Sequence, residues 1–384
     1  MQQNVGRAGL GVGGAFAPFA GALEETLPQA LTLSDVAKMT PMEIAQNSAL
    51  VTSSYQELMS MALSLQNEAY GNLMLSILKD TRVTFMELYP ERSDREAIRD
   101  ELARFGYMSR EDDVDDLFPP HPDEPQPYVA APQSHEDLYN PHPGGMAITC
   151  AVNCRLSEYH TMLYREHFGV PVDRDLAVAG LCIHEYPKAW LYYWNEDGSY
   201  GIEPRTFGGN MHTHDVYVTA EMLHRGAPPE LVVGVAAAHA FGAPDLTEDG
   251  KETRMSWPGY DWVMKFLHAG AILAQRDPVE AGVLEPGEAE GKYVLPPQTI
   301  EIWNCHLSDM NWPYTAGAAH KYTYPLLEDM AREEYGIPSP HGLEFNQLKN
   351  YVYAQVGQIA LYEVLVRDGE AAARQIVKRL VNGR

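Results

Sequence analysis

The sequence predicts an all-α protein, a helical bundle in its larger part with an N-terminal helical extension. Apolar residues recur at helical spacing through most of the chain, as at Leu58, Met61 and Leu65. Residues that start and stop helices bracket these runs. No strand–helix alternation, no internal repeat and no Gly-rich phosphate loop behind a strand is visible. At 384 residues, 45% of them hydrophobic, the chain is long enough for a large core and too apolar for disorder.

Taken in order, residues 1–39 carry no clear period. Residues 8–23 are apolar and Gly-rich after Arg7, a poor match to a secretion signal, and the reading is a flexible N-terminal arm on a cytoplasmic protein. Thr40-Pro41-Met42-Glu43 combines an N-cap hydroxyl, a first-turn Pro and a Glu at the third position, which predicts a helix start. Helix then continues to about Leu78 in one or two pieces. Ser93-Asp94-Arg95-Glu96 repeats the capping pattern, and Gly106 is a suitable stop. Residues 40–117 thus form an N-terminal helical unit, with the acidic run Glu111–Asp116 as a solvated face.

Between Pro119 and Pro143 lie eight prolines, a density that prevents regular helix. Residues 118–143 are read as an extended linker, and His121, His135 and His142 within it as exposed loop residues. Residues 144–384 form the larger domain. Its expected helices are Gly145–Phe168 ending at Gly169, Asp173–Trp194 interrupted at Pro187, Met211–Arg225, Pro228–Phe241, Gly259–Arg276, several over 299–336, then 342–367 and 368–382. A turn at Asn195–Ser199 opens a short hairpin excursion to Phe207.

The formal net charge of −25 argues against a nucleic-acid or anionic-membrane surface, since phosphate contacts need clustered Lys and Arg. No run of 18 or more apolar residues suggests a membrane span. Cys150, Cys154, Cys182 and Cys305 are few for this length and are read as reduced, buried thiols. Cys150 and Cys154 stand one helical turn apart, where a disulfide strains the backbone.

The chemistry concentrates at Ala179-Gly180-Leu181-Cys182-Ile183-His184-Glu185-Tyr186-Pro187-Lys188-Ala189-Trp190. Ionisable groups in an apolar run are costly unless paired or bound to a metal. A neighbouring His and carboxylate offer nitrogen and oxygen ligands suited to Fe, Mn or Zn. The alternative is a buried His–Glu hydrogen bond that only orients the core. Further candidate ligands on other helices are His212, His214, His239 and Asp309.

The order His-acid, His, His, Asp across helices resembles the HD-domain superfamily of metal-dependent phosphohydrolases. So do Pro143-Gly144-Gly145-Met146-Ala147-Ile148, Trp194–Ser199, Ala220–Gly226, Ala238-His239 and Asn304–Asp309, which are similar to a bacterial branch of it. The resemblance implies that His184, Glu185 and Asp309 hold one divalent metal such as Fe or Mn. It implies that His214 and His239 hold a second or contact phosphate, His212 having no firm counterpart. Glu185 and Lys188 would be the catalytic pair, with Lys188 neutralising charge on the phosphate. Two departures stand out: the first-helix His of the family falls on Thr149, and the Asp of its His-Asp pair is Glu185. They predict a degenerate metal site that Thr149→His with Glu185→Asp would strengthen.

Three function classes follow. The first is a phosphohydrolase acting on a small phosphoester. The second is a non-catalytic HD-like protein that binds another small ligand or a partner. The third is an HD-type di-iron oxygenase. Homo-oligomerisation is left open.

Overall fold

The structure, a computed structural model, describes residues 19–119, 124–134, 139–201, 203, 206–207, 212–240, 243–246, 252–256, 259–289 and 291–382. It is all-α, with three two-stranded strand pairs among the described residues. In chain order the elements begin with α1 (Ala20–Glu24), β1 (Leu31–Thr32), α2 (Leu33–Val36), α3 (Pro41–Gln46), α4 (Ala49–Ser64), α5 (Glu68–Lys79) and α6 (Arg92–Arg104). There follow α7 (Gly145–Phe168), α8 (Arg174–Ile183), α9 (Lys188–Leu191), α10 (Thr213–His224), α11 (Pro229–Ala237), β2 (Ala243–Leu246), β3 (Glu252–Ser256) and α12 (Tyr260–Leu273). The chain closes with β4 (Glu285–Pro286), β5 (Tyr293–Val294), α13 (Ile300–Asp309), α14 (Asn311–Tyr314), α15 (Ala316–Glu333), α16 (Leu343–Arg367), α17 (Glu370–Leu380) and β6 (Val381–Asn382).

Local chemistry sets most of these boundaries. Thr40 and Glu43 form the expected capping box at α3. Asn67 breaks the long expected helix in two by capping α5 through the backbone N–H groups of Ala69 and Tyr70. At α6 the cap is Glu91 with Asp94, two residues ahead of the expected Ser93. The Asp173 carboxylate accepts from the N–H groups of Asp175 and Leu176 and starts α8. Gly169, with φ of 67°, ends α7 in the left-handed region where a side chain is disfavoured. Gly144 and Gly145 allow a close approach, since a Cβ at either would run into Val51 or the Asn140 carbonyl.

Two apolar clusters hold the elements together. The larger joins Leu58, Met74, Phe85 and Leu102 to Leu181, Trp190, Val216, Val235, Leu267 and Cys305. The second joins Leu33, Val36, Ile44 and Val51 to Leu327, Leu348, Val352, Ile376 and Leu380. Helices from the first hundred residues therefore contribute to both clusters. The expected arm is structured from Phe19 onward: Leu33 and Val36 are buried, and the Phe19 and Ala20 N–H groups donate to Asp368. Residues 1–18 lie outside the described residues, as do residues 202, 204 and 205 of the expected hairpin beyond its Trp194–Tyr200 bridge.

The Pro-rich segment is irregular, as expected, apart from one turn at Tyr128–Ala130. It is not an exposed connector, however. Gln126, Tyr128, Gln133, Tyr139, Asn140 and His142 are buried in it. The reading of His142 as an exposed loop residue is thus corrected: it is 0% exposed, and burial holds its ring down to about 4. Low helical propensity predicts irregular backbone but is silent on whether a core closes over it. His121 and His135 lie outside the described residues. The acidic run is solvated, with Arg92 ion-paired to Asp113 and Asp115. All four cysteines are buried and unbridged. No helix among the described residues is long and apolar enough to cross a membrane.

Candidate metal centre

Helix ends, rather than helix faces, build the site. Helix α8 packs against α7, α11 and α13, and α11 packs against α10. Adjacent residues on a regular helix point about 100° apart, so one helix face cannot present both members of a His-Glu pair. Here α8 stops at Ile183, and the four-residue turn His184–Pro187 leads into α9. The broken ladder lets His184 and Glu185 reach the same point. The turn is held in place by Trp190, which stacks on Tyr217 of α10 at 5.6 Å between ring centroids.

Four donors converge there: His184, Glu185 and Asp309, each nearly or fully buried, and His239 from just beyond the end of α11. His184 Nε2 is 3.6 Å from Glu185 Oε1 and 3.5 Å from Asp309 Oδ1. His239 Nε2 is 3.5 Å from Glu185 Oε1 and 3.2 Å from Asp309 Oδ2. Donors placed tetrahedrally about 2.1 Å from one ion stand about 3.4 Å apart, longer than the usual hydrogen bond. The imidazole of His184 adds an independent sign. Its Nδ1 donates to the Leu181 carbonyl at 2.9 Å, leaving the Nε2 lone pair facing two carboxylates. That Nε2 is buried and has no hydrogen-bond partner. A lone pair aimed at anionic oxygens is repelled unless a proton or a metal cation sits between them, and at 3.5 and 3.6 Å the oxygens stand too far for a proton to bridge well. The residues present therefore fit a divalent ion.

Neighbouring groups hold the donors in place. Gln133 donates through Nε2 to Glu185 Oε1. Lys188 Nζ lies 2.5 Å from Glu185 Oε2. Asn153 on α7 donates to Asp309 Oδ1 at 2.7 Å, and its own oxygen accepts from Trp312 Nε1. His239 Nδ1 donates to Asp215 Oδ1 at 2.8 Å. Glu203 accepts from both the backbone N–H and the Nδ1 of His214, at 2.7 and 2.8 Å.

The electrostatics are lopsided. Burial alone would push the Glu185 carboxyl up, but Lys188, His184 and His239 outweigh it and hold it well below the usual carboxylate range. Asp309 is held down against its burial by His184 and His239. Burial also opposes ionisation of Asp215, and His239 and His214 overcome it. Glu203 is brought to about 2 by His214 and Lys188 despite its burial. The Lys188 ammonium survives burial because Glu185 and Glu203 face it. Burial disfavours a charged His239, yet Asp215 and Glu185 push that ring well above its ordinary range. Glu185, Glu203 and Asp309 thus face Lys188, Asp215 faces His239, and a divalent cation could take over the balancing of these charges from the imidazole protons.

His184, Glu185, His239 and Asp309 meet at this point. His214 stands next to it, its Nε2 3.5 Å from Glu185 Oε2. His212 is 45% exposed at its side chain and reaches Asp215 Oδ2 at 3.3 Å. Thr149 turns to a different partner, its hydroxyl accepting from Asn140 Nδ2 at 2.8 Å. The donor set closes through His239, so four donors are present without the first-helix histidine. The longer Glu185 side chain lets its two oxygens serve different partners.

Sequence reasoning missed Asp215, Glu203, Gln133 and Asn153. Asp215 carried a signal, since His214-Asp215 repeats the His-acid pairing of His184-Glu185. Asn153 follows Thr149 by one helical turn, but nothing local marks it, and Gln133 and Glu203 sit in irregular segments.

Because Thr149 is 0% exposed and already bonded, Thr149→His is expected to overpack α7 and strand Asn140. The expected cost is about 1–3 kcal/mol with no gain in metal content, read by denaturant unfolding beside elemental analysis. A variant with higher occupancy and a higher metal-dependent melting temperature would contradict this account.

No protein-family model, no curated protein and no solved structure matches the chain.

Proposed function

We propose that this protein is a metal-dependent hydrolase of a small phosphoester, of the HD type. The observation that carries the reading is the buried His184 Nε2, without a hydrogen-bond partner and facing Glu185 and Asp309 across the span of one metal ion. His184, Glu185, His239 and Asp309 would hold the ion. When bound, a divalent ion supplies Lewis-acid activation of water and of the phosphoryl oxygen.

The remaining roles belong to the chain. Lys188 keeps Glu185 ionised and brings a positive charge beside the centre, where an anionic phosphoryl group is favoured. Gln133 fixes Glu185 Oε1. His214 keeps its proton on Nδ1 against Glu203, so its Nε2, which lies 3.3 Å from His239 Nδ1, would turn to an attacking water to accept its proton. His212, the most exposed of these residues, marks the side from which a small substrate arrives.

The test is phosphate release from a panel of nucleotide, sugar and aryl phosphomonoesters by protein loaded with Mn²⁺ or Fe²⁺, with His214→Ala alongside. Release that requires metal and falls at least about 100-fold in the variant supports the reading. A fully loaded protein that hydrolyses none of the panel refutes it. Oxygen uptake by the iron form would then point to the oxygenase class, and failure to bind metal to a non-catalytic binding protein.

A further inference from the structure

We propose that Asp215 is the positioning residue that turns His239 toward His184, Glu185 and Asp309, and that the chain consequently holds one divalent ion and not two. The inference rests on the metal-site reading above. Two groups of side chains could each hold an ion, His184–Glu185–His239–Asp309 and His212–His214–Asp215–His239, and they share His239. A neutral imidazole has one ring nitrogen with a lone pair and one with a proton. His239 therefore serves one group or the other.

The distances decide which. In the first group the measured donor pairs stand 3.2 to 3.6 Å apart, all open to an ion. In the second, His214 Nε2 stands 3.3 Å from His239 Nδ1 and 3.6 Å from Asp215 Oδ1, but His239 Nδ1 and Asp215 Oδ1 have closed to 2.8 Å, the length of a direct hydrogen bond that takes both atoms from an ion. An ionised carboxylate can only accept, so a proton stays on Nδ1, and Nε2 is the nitrogen that gives up its proton to take a metal ion. That Nε2 faces Asp309 Oδ2 and Glu185 Oε1. Asp215 sits in the first turn of α10, where the helix N-terminus favours its negative charge and the packed helix fixes its direction.

The second group is left poorer. Asp215 Oδ1 is committed to His239, and His212 is half exposed. Lys188 sits 2.5 Å from Glu185 Oε2, the oxygen by which Glu185 would reach a second ion beside His214. A fixed ammonium there opposes a second cation.

Titration of metal-free full-length protein with Mn²⁺ or Co²⁺ tests this, by elemental analysis and, for Co²⁺, by its absorption spectrum. Wild type is expected to saturate at one equivalent. Asp215→Ala should keep that stoichiometry and lose about 10- to 100-fold in affinity, the usual cost of losing a partner behind a ligand. Asp215→Asn retains an acceptor oxygen and should lose less than Asp215→Ala. His212→Gln should leave stoichiometry and affinity unchanged. Two equivalents in wild type, falling to one in Asp215→Ala or His212→Gln, would overturn the inference and leave the metal-site reading standing. No tight equivalent in wild type would overturn both, and that measurement does not depend on any variant folding.

Discussion

Asp309→Asn will bind its divalent ion at least about 100-fold more weakly than wild type, beyond what loss of a supporting partner alone costs. The change is nearly isosteric. The amide oxygen can keep the 2.7 Å bond from Asn153, so the end of α13 should hold its place. What disappears is the negative charge and the second oxygen, the one 3.2 Å from His239 Nε2. Stability will separate the two effects. Wild type with metal at 1,000 times its dissociation constant should gain about 4 kcal/mol over the metal-free protein, and the variant at the same concentration should gain far less. Without metal the two should lie much closer together, the variant still the less stable by what the Asp309 charge gains from His184 and His239. Melting curves with and without a chelator read this directly. Full occupancy of Asp309→Asn at wild-type affinity would remove Asp309 from the ligand set.

Glu221→Ala should cost about 3–5 kcal/mol, the loss expected when one partner of a buried ion pair is removed. Glu221 is fully buried on α10. Its carboxylate accepts from the Thr84 N–H and hydroxyl, from the Phe85 N–H and from Arg225 Nε, all within 3.0 Å. One side chain thereby satisfies two backbone groups of the segment after α5 and a half-buried guanidinium. Alanine leaves all of them without that acceptor, and water cannot easily replace it under Phe85. The expected signature is a lower denaturant midpoint at unchanged slope, since the unfolded chain exposes the same surface. A loss below about 1 kcal/mol would mean that Arg225 and Thr84 find other partners.

Both predictions concern residues whose weight the chain order hides. Asp309 stood out in the sequence because it falls where the resemblance sets the last acidic ligand. Glu221 did not stand out, since a Glu four residues before an Arg reads as an ordinary surface pair. Its importance comes from Thr84 and Phe85, more than a hundred positions away.

By itself the sequence determined the helical class, the cap at Thr40, a helix beginning at Asp173 with an interruption near Pro187, and the histidines and acids worth watching. These follow from properties that act within a few residues: spacing of apolar side chains, competition for the first N–H groups, and the limits of Pro and Gly backbones. Tertiary structure decided the rest. Helical periodicity says which residues face inward, not which inward residues meet. Only the packing of α8, α11 and α13 brings His239, rather than position 149, to His184 and Asp309. Only the docking of irregular segments buries His142 and aims Gln133 and Glu203 at the centre. A proline-rich stretch has no period to reveal the face it buries, and a carboxylate takes its meaning from the proton donor or cation that the fold sets against it.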